Sequence, residues 1–540
     1  MERDTQKKHS LESYGFMLLL VVLLFMNSGC AKKIIKGPIN QLQPVLNDRI
    51  SGQMISENSL LYNDNLSGRI AWNEQYFMES LINMYKANRD KRYIEIFIRH
   101  ADHVLEIRDN SVYRWDFMGR MRPGWQAGGY YTLGIPKMIS DFEGLPSLEI
   151  QAIHRAGNGN TSVEVTNDGN NEFTLIIRNN FRRKAPIIKK FEHLNMSTVE
   201  KHINNFLSPE DWIRVKKSGL NPPAPGIYPL EETYRMVLHE LHTPLIGIPF
   251  LRFAALVFEE KKLQCYKEKA MEYVTAFEES YRDYKNSWRE NKDGGYFVFE
   301  PGGRYWASGL PVPYNGLSAN GRFLLWLYRV TGKPEYLEKS TKLAKKIRAG
   351  VKLLSDGTLT MPYWYGLPYD GWKNKKTNPI NDIYVTGKAY NGIEDVSHFT
   401  LTLLFMIDAY KMGIVFDDDV MIAVSNTFIK KIWKPGGRKE EIKWERDVYN
   451  TFLERVEKPK TGFTKMDWKN YSYLAHNLAG KGQAHNYTAG IFAGLEKWNK
   501  EIKDKILKIY CSLFIDPEQI DTDYEFGPVL LGWSMLALIR

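Results

Sequence analysis

One spacing recurs along this chain and limits what it can fold into. Phe77-Met78-Glu79-Ser80-Leu81-Ile82-Asn83-Met84-Tyr85 breaks at a polar turn, Arg89-Asp90, and resumes at Tyr93-Ile94. Arg322-Phe323-Leu324-Leu325-Trp326-Leu327-Tyr328 breaks at Gly332-Lys333-Pro334 and resumes at Tyr336-Leu337, and a third copy runs from Leu251 through Phe258 to Tyr266. In all three, eight positions separate the aromatic residue that closes one apolar segment from the one that opens the next. Apolar runs of helical period that stop at a breaker and restart predict helical hairpins. Looser copies follow at Phe399–Tyr410 with Asp419–Ile432, at Gly490–Trp498 with Ile502–Phe514, and in Gly527–Ile539.

Repeated hairpins bury their apolar faces on one another, either in an open solenoid or in a closed α/α toroid. The segments leading into the inner helices favour closure. Trp72-Asn73-Glu74-Gln75-Tyr76, Trp125-Gln126, His239-Glu240-Leu241-His242, Tyr314-Asn315, Glu394-Asp395-Val396-Ser397-His398 and His485-Asn486-Tyr487 are all polar and aromatic. A ring of such helix starts lines one mouth, with positive dipole ends directed at it. Between about 145 and 190 the period changes: Ser147–Ile153, Ser162–Val165 and Phe173–Ile177 alternate between Gly/Asn turns, which predicts a small antiparallel β insertion. The expected order is a leader over 1–29, a tether over 30–66, a first helical part over 67–144, the β insertion over 145–190, and the rest of the toroid over 191–540.

Composition fits that picture. Hydrophobic residues make 43% and charged residues 25% of 540, which excludes a disordered or fibrous chain. Phe16 to Met26 is an uninterrupted apolar run, shorter than the roughly 20 residues of a spanning helix. Lys7 and Lys8 precede it and Asn27-Ser28-Gly29-Cys30 follows, which resembles the cleavage and lipidation box of bacterial lipoproteins. Cys30 is therefore the expected lipidation site, and the protein is expected to be exported and held at a membrane surface. The net charge of +10 resides in the exported part, because residues 1–29 carry equal numbers of acidic and basic residues. That charge suits an acidic polymer, and no nucleic-acid recognition motif accompanies it. Beyond Cys30 only Cys265 and Cys511 remain, which excludes a disulfide framework and leaves open one long-range bridge.

Several clusters have the makings of a site. Glu394 and His398 lie four apart at the start of a helix, where a carboxylate tunes an imidazole for proton transfer; Asp395 either joins them or caps the helix. Tyr363-Trp364-Tyr365 and Tyr369 form an aromatic run suited to stacking on sugar rings, with Tyr365 able to exchange a proton. Arg304 is placed to grip a carboxylate, and His485 with Tyr487 to share a proton transfer. The catalytic candidates are thus His398, Glu394, Asp395, Tyr365, His485 and Tyr487. The substrate-binding candidates are Trp72, Glu74, Trp125, Gln126, Arg304, Tyr314, Asn315, Tyr363, Trp364 and Tyr369. His239 and His242 are three apart and fix no coordination sphere, so neither a metal nor a cofactor is expected.

Asp293-Gly294-Gly295-Tyr296, then Tyr314-Asn315-Gly316-Leu317-Ser318-Ala319-Asn320-Gly321-Arg322 and the hairpin through Tyr336-Leu337, resemble the C-terminal helical domain of D-glucuronyl 5-epimerases over roughly residues 290–375. The resemblance implies a toroid acting on a uronic-acid polymer by abstraction of the carbon-5 proton, as epimerase or lyase. Two other uses of the same cleft stand beside it: glycoside hydrolysis, for which Glu74, Glu394 and Asp395 are the available carboxylates, and glycan binding without turnover.

Overall fold

In the computed structural model the described residues are 54, 60–128, 131–132, 134–152, 161–180, 187–204, 213–230, 237–302, 307–371, 391–432, 490–507 and 526–539. The first hairpin is α1 (Gln75–Asn88) and α2 (Arg92–Glu106). It turns at Arg89, which takes the left-handed conformation and returns its N–H to the Tyr85 carbonyl. After α2 comes the β module, with β1 (Lys137–Ser140), β2 (Pro146–Ala152), β3 (Thr161–Gly169), β4 (Glu172–Asn179), β5 (Ile187–Leu194), helix α3 (Val199–Asn204), β6 (Ile213–Lys217) and β7 (Gly226–Pro229). The second hairpin is α4 (His242–Glu259) and α5 (Lys267–Arg282), followed by the strand pair β8 (Trp288–Asn291) and β9 (Gly294–Phe297). The third is α6 (Tyr314–Thr331) and α7 (Pro334–Gly350), split by left-handed Gly332 and restarted by Pro334 in the first turn. Then come α8 (Val396–Lys411), capped by the Asp395 carboxylate, α9 (Asp418–Thr427), capped by Asp417, a short 3-10 helix (Gly490–Leu495) and α10 (Phe526–Leu538).

The packing closes a ring. α1 touches α4, α4 touches α6, α6 touches α8, α8 touches Gly490–Leu495, that segment touches α10, and α10 returns to α1. Outside the ring α2 packs on α1, α5 on α4 and α7 on α6. The protein is mainly α, an α/α toroid of helical hairpins with an antiparallel β insertion, as the hairpin spacing predicts. Close approach of the inner helices depends on glycine: a Cβ on Gly321 of α6 would sit 2.5 Å from the Phe405 ring of α8, and one on Gly247 of α4 would sit 2.4 Å from Phe323 of α6.

Strands in the module extend over 137–229, beyond both ends of the expected 145–190. β1, β2 and β6 form one antiparallel sheet and β5, β4, β3 and β7 another. They share a small apolar core, separate from that of the toroid, in which Leu148, Ile150, Val163, Leu175, Ile177 and Val215 are buried. The leader (1–29), and the expected tether (30–66) as far as residue 59 apart from Met54, lie outside the described residues with Cys30; Met54, Leu60 and Asn65 are buried in the body, so the end of that segment is part of the fold.

At the waist of the ring the apolar interior gives way to charge. Arg322 of α6 donates to both carboxylate oxygens of Glu79 of α1 (2.7 and 2.8 Å) and to Asp408 of α8 (2.8 Å). Arg252 of α4 also binds Glu79, and reaches the Asn83 side-chain oxygen at 2.8 Å; Asn83 in turn donates to Ser534 of α10 at 3.0 Å. Burial opposes ionisation of Glu79 and Asp408, yet Arg322 beside them holds both below the usual carboxylate range. Groups depressed in this way contribute stability above pH 4–5 that is lost as pH falls through their folded-state values. Arg322→Met removes the cation the two carboxylates share, leaving Glu79 with Arg252 and Asp408 with the Trp326 Nε1 donor, and we expect it to lower unfolding free energy by about 3–5 kcal/mol at pH 7, with a smaller deficit at acid pH. Urea titrations at the two pH values measure it.

Candidate functional site

Connections between hairpins are unequal, and that inequality locates the site. Leaving the inner helices, the chain turns within 89–91, 260–266, 332–333 and 412–417; returning to them, it runs through 107–241, 283–313 and 351–395. The long segments all gather on the face where inner helices begin. Loops held by a rigid scaffold are where binding and chemistry collect.

α8 opens at this mouth with Asp395, whose carboxylate accepts the His398 N–H at 3.0 Å and also binds the Ser397 hydroxyl and His398 Nδ1. Burial pushes Asp395 up, but the imidazole and these hydrogen bonds outweigh it and hold the carboxyl well below its usual range. The His398 side chain is 33% exposed, so the pair opens onto the mouth. Its ring meets Tyr363 edge-on at 5.4 Å and Trp72 at 6.3 Å. Glu394 points the other way, into the wall between α6 and α8. Its carboxyl accepts from the Thr402 hydroxyl at 3.0 Å, and Ser318 donates to that hydroxyl at 3.1 Å. Burial raises the Glu394 pKa well above normal, the Asp395 charge adds to this, and the Thr402 and Asn315 hydrogen bonds only partly offset it. Two adjacent carboxyls are therefore shifted in opposite directions, Glu394 up and Asp395 down.

The other side of the mouth is built on α4. Trp72 Nε1 donates to the Tyr131 hydroxyl at 2.9 Å and to His242 Nε2 at 3.2 Å, and His242 Nδ1 lies 3.2 Å from Asn65 Nδ2. His239 stacks on His242 with ring centres 4.4 Å apart, and Tyr131 meets both rings edge-on. Burial pushes His239 down to about 3, and His242 is likewise driven far below its normal value, so both imidazoles are neutral at pH 7. Among the described residues no three ligating side chains converge on one point.

The structure brings Trp72, Tyr363, Asp395 and His398 to this mouth, whereas the Glu394 carboxyl, expected beside His398, is turned into the wall between α6 and α8. Other candidates sit elsewhere. Glu74 turns into the wall between α1 and α2, where it meets His100 Nδ1 at 2.8 Å with both side chains fully buried. Trp125 is buried against Phe277 and donates to the Val104 carbonyl at 2.8 Å. Gln126 is buried beside Asp109, which accepts its N–H at 2.7 Å. Trp364 donates to the Pro311 carbonyl at 2.6 Å. Tyr314 and Tyr365 pack together at 4.8 Å, away from His398, with Lys346 4.7 Å above the Tyr365 ring. Asn315 is buried in the first turn of α6, where its side chain accepts the Gly316 N–H at 2.7 Å, and Tyr369 lies on an outer turn, 38% exposed. Arg304, His485 and Tyr487 lie outside the described residues, and with them the acidic-group contact assigned to Arg304. No sequence pattern marks Tyr131; His239 and His242 are found at the helix start where the sequence places them, in a ring contact with Tyr131 that no spacing announces.

No family model matches the chain, and no curated protein matches it. A solved structure similar to it is a family 76 glycoside hydrolase from a bovine Bacteroides thetaiotaomicron strain, at 9% identity and a TM-score of 0.27, covering 76% of this chain and 98% of that one. The epimerase resemblance is overturned: no family model and no curated protein supports it. The residues that carried it have packing roles. A Cβ on Gly294 would sit 2.3 Å from the Lys342 carbonyl and one on Gly295 2.1 Å from the Trp288 ring, Asn320 donates to the Glu240 and Gly316 carbonyls, and Arg322 belongs to the waist.

Glu240, between the two histidines, is buried and accepts the Glu300 N–H; burial raises it to about 8. A carboxyl raised on folding contributes stability that is complete below pH 4.5 and lost as pH rises through about 8. Glu240→Gln keeps the acceptor and removes the proton, so we expect the variant to lose less stability than wild type between pH 5 and pH 9. Melting temperatures across that range test this.

Proposed function

We propose that this mouth is the active site of an enzyme that hydrolyses glycosidic bonds in a polysaccharide. The observation that carries the reading is the Asp395–His398 pair at the start of α8, which opens onto the mouth between the rings of Trp72 and Tyr363. Cleavage of a glycoside needs a proton for the departing oxygen and a basic group for the other half of the reaction. His398, held by Asp395 and partly exposed, is the group placed to supply the proton, while Glu394 is turned into the wall behind it. Asp395 is the ionised partner, favoured by the N-terminal dipole of α8, and it orients the His398 imidazole that faces the mouth. Trp72 and Tyr363 flank His398 and offer apolar walls to a sugar ring. Export and anchoring at Cys30 would place this reaction at a membrane surface, a part of the proposal that rests on the sequence of residues 16–30.

Incubation of the full chain with a panel of neutral and uronate-containing polysaccharides is expected to release reducing ends without ultraviolet enoyl absorbance. His398→Ala and Asp395→Asn should each lower turnover about 10²–10⁴-fold while leaving the melting transition in place. Enoyl products would assign the site to elimination, and binding without products would assign the protein to glycan capture. Full activity in both variants would move the chemistry elsewhere.

A further inference from the structure

The β module ends in a pinned apolar tip. Asp141, in the turn between β1 and β2, accepts the N–H groups of Glu143 and Leu145 and the Asn221 side-chain amide, each at 2.9 Å. Ser147 donates to the Asn221 carbonyl at 2.6 Å and accepts at its own carbonyl from Ser218 and Gly219, while Ala224 donates to the Ser140 carbonyl at 2.9 Å. The turn and the loop after β6 are thereby stapled into one rigid projection. From it Phe142, Leu145 and Leu220 stand 71%, 56% and 85% exposed. Scattered apolar side chains are common on surfaces, but three large ones on one preorganised tip mark a contact site.

We propose that this tip docks on an anionic lipid surface, with Phe142, Leu145 and Leu220 entering the boundary of the acyl chains and Lys216 and Lys217 at the headgroups. Both lysines lie at the end of β6, three and four positions before Leu220, so at about 3.3 Å per residue they sit roughly 10–13 Å behind the tip. Glu143 is the exposed carboxylate on the turn itself; Glu149, across the ladder from Lys216, and Glu200, which accepts the Lys217 N–H at 2.6 Å, lie behind the tip with the lysines. An apolar point backed by cations is the pattern that rests in a membrane interface. Chain geometry agrees with a bilayer as occupant. Tyr62, near the start of the described body, is fixed at the mouth face by the Asn73 amide (2.7 Å) and by Glu74, and the β module lies within the 107–241 connection on that same face. Met54 is already buried in the toroid core, and the 23 residues 31–53 before it reach at most about 80 Å when extended, which lets a bilayer that holds Cys30 also meet the tip.

The test is amide hydrogen exchange on the full-length chain with phosphatidylcholine vesicles containing roughly a quarter phosphatidylglycerol. We expect exchange to slow within 141–146 and 218–221 when vesicles are added. Phe142→Ser with Leu220→Ser, at exposed positions that the fold does not use, should abolish that protection and weaken vesicle partitioning by about tenfold or more. Lys216→Glu with Lys217→Glu should weaken binding to these vesicles and leave binding to pure phosphatidylcholine vesicles unchanged. Failure to bind vesicles, or unchanged exchange in both loops of vesicle-bound protein, overturns the proposal. Protection that follows protein concentration without lipid assigns the tip to a second copy of the chain, and protection by soluble polysaccharide without lipid assigns it to glycan; either result also overturns it.

Discussion

The contact on which the rest of the molecule depends is Arg322 with Glu79 and Asp408. Three inner helices meet at that guanidinium, and Arg252 and the Asn83–Ser534 bond add two more. Ions this deep are expensive to desolvate, and their attraction offsets the cost only if every partner is present. An open stack of the same hairpins would leave Glu79 of the first facing no cation from the third. Closure is therefore enforced at the waist, while the apolar contacts above and below are less particular about which helix they meet. Hydrophobic burial supplies the drive to collapse; the charges specify which ring forms.

Fixing the waist also fixes the mouth. Arg322 lies eight residues into α6, about 12 Å along its axis at 1.5 Å per residue, so a helix pinned there carries its first turn to a set position. The same logic places Asp395 at the head of α8, thirteen residues before Asp408. Side chains at the heads of separate helices can then converge without touching one another directly in sequence. Trp72 illustrates this: its ring stands 6.0 Å from His242 of α4 and 6.3 Å from His398 of α8, linking two helices that do not follow one another in the chain.

Much of this was legible in the sequence, and the failures have physical causes. The hairpins announced themselves because helical periodicity and breakers are local signals. The polar cluster at the head of α8 was legible too, but the four-residue spacing pointed to Glu394 as the partner of His398, whereas Asp395 both caps the helix and binds the imidazole and Glu394 turns to Thr402. Glu74 looked equally well placed, but Ile70–Glu74 forms a wide π turn that rotates Trp72 to the mouth and Glu74 toward His100. Tyr363 and Tyr365 could not be ranked beforehand; the chain is extended there, pairing at Tyr363 with Gly392, and successive odd positions still diverge because the segment bends into the turn at Gly366. β1, β6 and β7 are four or five residues long, too short for alternation to separate them from irregular chain, so the module was read as smaller than it is. The epimerase resemblance failed for another reason: glycines and an asparagine demanded by close packing imitate a functional motif.

Burial acts on both ends of the ring and yields opposite chemistry. At the waist, cations accompany the carboxylates and keep them ionised. At the other end of the ring, Glu240 and Glu394 are buried without an arginine in direct contact, and burial raises both; it lowers His239 and His242 for the same reason. Buried polar atoms without hydrogen-bond partners are spread through the described residues, from the Asn320 and Gln126 side-chain oxygens to His100 Nε2, Asp283 Oδ2 and Arg252 Nε, so they single out neither end. Folding alone gives no reason to bring raised acids and lowered imidazoles to one end, because each lowers stability relative to a matched or apolar replacement. An end that retains such groups is poised to exchange protons with something the chain does not itself supply.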